Sequence, residues 1–417
     1  MTLLGAPTGE AAHQRMGLQM FRRVYPVFPT LHSESFASRA VGQPRHLPFP
    51  LNEPRHQVWF LGRNALYAGL SSLGLRRGDA VLVPSYTNGM EVAPLSHAGA
   101  RVLQLPLEPD LQLNLNALER ALRQERPKLV VATHYLGFAQ PIDAIVELAH
   151  RYGAWVLEDC AHAFLAQTPD GRWLGSIGDF AIYSLYKTVA LPDGGALVVN
   201  HPELPLPAAP QEPEASSSIS GAGRLALASF AAGGPLQRPI AWPLAWARAG
   251  SRWAFAAAQV ERTAAGGMHF APARLDWGAS PTTRWLLERL RYDGVAARRR
   301  RNFAYLQQRI AAPGLFQSLP PGASPLFYPV IVEDKQKFRD ALAKQGIETI
   351  DFWSTWHPAT PPEPFPMIGY LRDHVVEVPC LHDFSIDAMA FIADAVQKAL
   401  ARQPAAAPSR RFGAQVN

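Results

Sequence analysis

Cysteine is almost absent: the 417 residues hold two, Cys160 and Cys380. Two thiols cannot frame a disulfide scaffold of this size, so a reducing compartment, the cytoplasm, is expected. The start of the chain lacks a basic segment followed by a continuous apolar core, and no secretion leader is expected. Long apolar runs are missing too. The nearest approach, 240–258, is broken by Pro243, Arg248 and Arg252, well short of the ~20 apolar residues a membrane helix needs. Its tryptophans and spaced arginines fit a helix packed on the protein's own surface or one lying at a membrane face. No His-Glu-x-x-His or clustered Cys/His spacing occurs, so no metal site is expected. The formal charge is +6, yet the arginines are scattered and not interleaved with aromatics, which argues against nucleic acid. The one dense cluster, 298–301 in GVAARRRRNFAYLQQRI, reads as a solvated helix face or an interface.

Lysine is the remaining scarcity. Of 40 basic residues only six are lysine: Lys128, Lys187, Lys335, Lys337, Lys344 and Lys398. Lys187 alone follows a strand-like run and precedes an Asp-Gly-Gly turn, in IYSLYKTVALPDGG. An amine can lose its proton and condense with a carbonyl, which a guanidinium cannot do, so Lys187 is the candidate Schiff-base residue.

An apolar content of 48% with 18% charge describes a folded chain, long enough for about two domains. Runs at 80–84, 101–106, 128–135, 154–160, 179–185 and 195–199 are rich in Val, Leu and Ile, and most are too uniformly apolar for a half-exposed strand, so they read as strands covered on both faces. Between them NALYAGLSSLG, MEVAPLSHAGA, NLNALERALRQ and PIDAIVELAHRYG carry apolar residues at helical spacing. The alternation predicts a mainly parallel sheet between helices, with ligands bound beyond the carboxyl ends of its strands. The reading divides the chain into an N-terminal arm (1–57), a large domain (58–200) and an insert (201–270). A connecting long helix (271–324), a small C-terminal α/β domain (325–402) and a mobile tail (403–417) follow. Within the insert 202–221 reads as a loop followed by an Ala/Trp-rich helix, and within the connector the amphipathic pattern runs over 282–306 with a bend near Gly294.

Asp159 ends a buried strand in WVLEDCAHAF, where an ionised carboxylate is costly unless something positive meets it. A pyridinium nitrogen is such a partner, and a carboxylate plus a lysine is the pairing pyridoxal phosphate chemistry requires. Alone, Asp159 reads more readily as a helix N-cap, since CAHAF could begin a helix. Ser184, three residues before Lys187, is placed for a phosphate oxygen, and FLGRNALYAGL offers the amides of Arg63 and Asn64 at a helix start after Gly62. His162 lies three residues beyond Asp159. A nicotinamide fingerprint fails on context, because GAGRLA at 221–226 does not join a strand to a helix.

The segments from GRNALYAGL to GSIGDFAIYSLYKTVALPDGGALVVN, and then YPVIVED, KQGIETIDFW and VEVPCLHDFS, resemble the DegT/StrS family of fold-type I pyridoxal phosphate enzymes, mostly sugar aminotransferases, in the subgroup with Ser-Leu-x-Lys. The resemblance implies a seven-stranded, mainly parallel sheet and pyridoxal 5'-phosphate as cofactor. It implies that Lys187 holds the cofactor and shuttles a proton, and that Asp159 pairs with the ring nitrogen. It places His162 by the phenolic oxygen and Ser184 with the Arg63 and Asn64 amides on the phosphate. Members with histidine for the lysine are dehydratases, so Lys187 favours amino transfer. Asn88 stands where the family sets an aromatic ring over the cofactor, and Tyr86, two residues earlier on the same face of an extended segment, is the candidate to compensate. The family's partner-subunit Asn and Arg have no recognisable match in ARLDWGASPTTRWLLERL. The implied activity is transfer from glutamate to a keto sugar, nucleotide-linked, in polysaccharide or secondary-metabolite synthesis, by a homodimer with its site at the interface. The insert is expected at the substrate entrance or on a membrane or partner. The alternative is a catalytically altered, cofactor-binding member that serves as a regulatory or partner module.

Overall fold

The structure is a computed structural model that describes residues 23–36, 47–233, 270–311 and 315–404. Seven strands form the large sheet: β1 (His56–Trp59), β2 (Ala80–Pro84), β3 (Arg101–Leu105), β4 (Leu129–Thr133), β5 (Trp155–Cys160), β6 (Phe180–Ser184) and β7 (Gly195–Val199). Their order is β1-β7-β6-β5-β4-β2-β3. The run from β3 to β6 is parallel, and β7 lies antiparallel to both β6 and β1. Every residue of β2, β4, β6 and β7 is buried, as the apolar runs require of strands covered on both faces. β1, HQVW, has two polar residues and is half-exposed at three of its four positions; an edge strand needs only one covered face, and its sequence gives no long apolar run to read.

Helix α1 (Gly62–Ser72) packs on β6 and β7, and α2 (Val92–His97) leads into β3. Asn114 caps α3 (Leu115–Glu125) by accepting from the Ala117 amide at 2.7 Å, and α3 packs on α4 (Ile142–Arg151). After β7 comes α5 (Ala215–Ala232), which begins inside the stretch expected to be a loop. Serine and glycine are weak helix formers, and α5 buries few side chains, among them Leu225. The tryptophan-rich stretch 240–258 lies outside the described residues, as does 405–417 of the tail.

The connecting pattern resolves into α6 (Pro281–Leu287) and α7 (Val295–Arg309), separated where Gly294 takes φ 75°. A left-handed residue ends one helical path and starts another, which glycine does at little cost. The small domain carries β8 (Phe327–Ile331), α8 (Lys335–Ala343), β9 (Ile350–Asp351), α9 (Pro366–His374), β10 (Val375–Pro379) and α10 (Ile386–Leu400). Its sheet is antiparallel with β10 in the centre. Leu82, Val130 and Ile145 of the large domain and Phe338, Val376 and Met389 of the small one belong to one continuous apolar core. Both domains therefore present fixed walls to the space between them. Among the described residues no helix is long and apolar enough to cross a membrane.

Candidate active site

A cavity of about 810 Å³ opens beyond the carboxyl ends of β4, β5 and β6, where open parallel sheets bind ligands. Arg63, Asn64, Asn88, Asp159, His162, Ser184 and Lys187 all line it. Seven positions scattered over 125 residues of sequence are thus brought to one place by strand ends and the loops that follow them.

Asp159 is held at the end of β5, with Thr133 of β4 and Ile182 of β6 beside it in register. Its Oδ1 accepts the Ala161 amide at 2.9 Å, and its other oxygen has no donor among the described residues. Burial pushes its carboxyl up, only partly offset by the Ala161 amide and the charge of Lys187. This is a carboxylate prepared for a cation. Behind it His134, Glu158 and Cys160 come within 4.8 Å of one another. Their polar groups are already engaged: His134 Nε2 meets Glu158 Oε2 at 2.9 Å and His134 Nδ1 accepts the Gln140 amide at 3.0 Å. Glu158 also accepts the amides of Gly175, Ile177 and Gly178. Burial alone would raise the Glu158 carboxyl, but His134 and these amides bring it below the usual range. The cluster is a hydrogen-bonded brace that fixes the strand carrying Asp159.

The start of α1 abuts Ser184. A Cβ added at Gly62 would stand 2.5 Å from Ser184 Oγ, so glycine is what lets the helix close on the end of β6. The Asn64 amide, expected to be open, donates to Leu61 O at 3.0 Å because the first turn closes on its own N-cap. The Asn64 side chain turns the other way and donates to Arg274 O at 2.6 Å. The open amides at this helix start are those of Gly62 and Arg63, one residue earlier than the sequence suggested; among the described residues neither finds an acceptor.

Lys187 closes a short helical turn after β6. Its backbone is held from behind by Arg299, whose Nη2 donates to Lys187 O at 3.5 Å and Thr188 O at 3.2 Å and whose Nη1 donates to Leu326 O at 2.8 Å. Arg299 is fully buried, so within the run 298–301, expected as a solvated helix face or an interface, this residue turns into the fold instead. A guanidinium with several donors can serve carbonyls of two chain segments at once, and here it ties the Lys187 turn to the entry of the small domain. His162 is buried, its Nδ1 accepting the Leu136 amide at 3.4 Å. Burial, aided by the nearby charge of Lys187, holds it well below the usual histidine range, so the ring is neutral.

Tyr86 does not reach the cavity. It is fully buried, its hydroxyl donating to Phe352 O at 3.0 Å. Trp353 of the small domain lines the space instead, its ring 5.4 Å from that of His162. Sequence reasoning also missed Glu91 and Glu377. Glu91 accepts the Asn88 amide at 3.1 Å, and burial together with the charge of Asp159 pushes its carboxyl up to about 7. A glutamate in the middle of the apolar run VVEVP was the available signal for Glu377. The insert contributes Ser216, Ser217, Ser220 and Arg224 of α5 to the cavity wall.

A doubly covered, mainly parallel seven-stranded sheet with a small antiparallel domain and a lysine–carboxylate cavity at the strand ends defines the fold-type I aminotransferase architecture. Residues 61–208 match the DegT/DnrJ/EryC1/StrS aminotransferase family. It is 31% identical over 142 residues to GDP-perosamine synthase of Vibrio cholerae, covering 33% of this chain and 38% of that protein. It is 36% identical over 145 residues to the dTDP-3-amino-3,4,6-trideoxy-alpha-D-glucose transaminase of Micromonospora megalomicea subsp. nigra, covering 34% and 38%. The match therefore spans well under half the length of these curated relatives. The crystal structure of DesV from S. venezuelae, in complex with a ketimine intermediate, shares the fold with a TM-score of 0.57 at 19% identity, over 95% of this chain and 98% of that one.

Proposed function

We propose that the protein is a pyridoxal phosphate-dependent aminotransferase that moves an amino group from glutamate to a nucleotide-linked keto sugar, as a homodimer. The observation that carries this reading is the convergence of Lys187, Asp159 and the open helix start beside Ser184 on one cavity. The cofactor, when bound, supplies an electron sink for negative charge at the reacting carbon. The residues present fit it. Asp159 offers a buried carboxylate with one oxygen unengaged among the described residues, and it would keep a proton on the ring nitrogen. The Gly62 and Arg63 amides and the Ser184 hydroxyl suit a phosphate, with the helix dipole adding to their pull. His162 would present its ring to the cofactor's hydroxyl. Asn88 and Trp353 would bound the space for its ring. Lys187 would supply the amine that holds the aldehyde carbon and the base that moves a proton at the reacting carbon. The names of the two curated relatives support a nucleotide-sugar substrate.

The purified protein is expected to show a visible absorption band that borohydride abolishes, with the added mass mapped to Lys187, and glutamate should shift the band. A colourless protein that takes up no cofactor, or modification of another lysine, refutes the reading. Gly62→Ala is expected to lower cofactor affinity ~10-fold or more, about 1.4 kcal/mol, because its methyl group displaces Ser184 from the helix start. Titration of the apoprotein with the cofactor measures it, and unchanged affinity would remove the phosphate assignment.

A further inference from the structure

One wall of the cavity is built by the small domain, from Phe327, Ile350, Asp351, Trp353, Thr355 and Glu377. It presents carboxyl groups and no cation, whereas the large domain and the insert bring the arginines Arg63, Arg224 and Arg274 to the same cavity. Glu377 sits on the central strand β10, opposite Pro329 on β8 and Ile350 on β9. Its neighbours Val376 and Val378 point to the other face, into the apolar core, as alternation along a strand dictates. Glu377 is 2% exposed. Its Oε1 is wholly buried without a hydrogen-bond partner, and its other oxygen has no donor among the described residues. Asp351, close by, is paired with Lys335 and, at 3.7 Å, with Arg339. Glu377 therefore stands outside the local ion pairs. Burial raises its carboxyl well above the usual range, against the charge of Lys187.

A buried carboxyl with no partner costs the fold free energy, and an apolar side chain of similar size would serve the strand better. Such a group is explained when its partner arrives with a ligand. A carboxyl that keeps its proton both donates and accepts, which matches a hydroxyl group. We propose that Glu377 is a specificity-determining residue of this cavity: it hydrogen-bonds a substrate hydroxyl beside the carbon served by Lys187. The hydroxylated end of the substrate then lies against the small-domain wall, and its anionic end toward Arg224 and Arg274. The inference rests on the proposed function and names the part of the site that reads the sugar.

The test compares wild-type holoenzyme with Glu377→Leu and Glu377→Gln. Amino transfer from glutamate is measured to a GDP- or dTDP-linked 4-keto-6-deoxyhexose and to pyruvate, an acceptor without hydroxyl groups. Glu377→Leu is expected to melt no lower than wild type and to lower the sugar-to-pyruvate ratio of kcat/KM ~100-fold, since a site made for a hydroxyl discriminates strongly through it. Glu377→Gln, which keeps both donor and acceptor, should recover part of that ratio, and it carries the test if the leucine variant fails to fold. An unchanged ratio in both variants overturns the assignment while leaving the aminotransferase reading in place. A wild-type enzyme that reacts with glutamate but with none of the keto sugars overturns the sugar reading and the role of Glu377 with it.

Discussion

Lys187→Arg is expected to fold normally and to lose amino transfer by at least ~10⁴-fold, the upper range of what a positioned acid/base group contributes, because it forfeits covalent capture of the cofactor as well. The guanidinium keeps the positive charge and much of the length, so the electrostatics around Asp159 and Glu91 change little. What it cannot do is give up its proton near neutral pH. The backbone of the turn should survive, since it is held by Arg299 through Lys187 O and Thr188 O rather than by the lysine side chain. The checks are the visible band, which should be missing, the steady-state rate, and the urea midpoint, which should match wild type. A variant that retains the band and a rate within ~10-fold of wild type would refute the role of Lys187.

The sheet was legible because parallel strands buried on both faces have to be uniformly apolar, as β2, β4 and β6 are. β1 escaped notice because an edge strand is free to be polar. The first turns of α5 were read as part of a loop because ASSSISG is dominated by serine and glycine, which are weak helix formers. In the site, Lys187 and Asp159 stood out because each is a charged group at the end of an apolar run. Trp353 and Glu377 did not, since their importance arises only when the small domain folds over the strand ends, and Glu91 did not because only the fold brings it to Asn88 and Asp159. Tyr86 shows the limit of local geometry. Alternation predicts that it shares a face with Asn88, but the packing of Phe352 and Trp353 around its ring places it in the core while Asn88 lines the cavity.

Asp159→Asn is expected to lower amino transfer ~10²–10³-fold, the cost of removing one preorganised electrostatic partner of a charge that must be held during reaction. The amide is isosteric and its oxygen can still accept from Ala161, so the strand end keeps its shape. A neutral oxygen does not hold a proton on the ring nitrogen as a carboxylate does, and that is the whole of the loss. The apoprotein should respond in the opposite sense. The folded-state pKa of Asp159 is raised by burial, so between the ordinary carboxylate range and that raised value the native state binds more protons than the unfolded state. Stability of wild-type apoprotein therefore falls as pH rises through that window and stays lower above it, while in acid, where both states hold the proton, the penalty vanishes. Asparagine carries no such penalty. Apo Asp159→Asn should melt no lower than apo wild type at pH 8, with its advantage shrinking toward pH 4. The cofactor, by binding the native state, should stabilise wild type more than the variant. Thermal melts of both apoproteins across pH, with and without cofactor, measure all three effects. A variant that keeps its activity, or that gains as much from the cofactor as wild type, would mean that Asp159 does not meet the ring nitrogen.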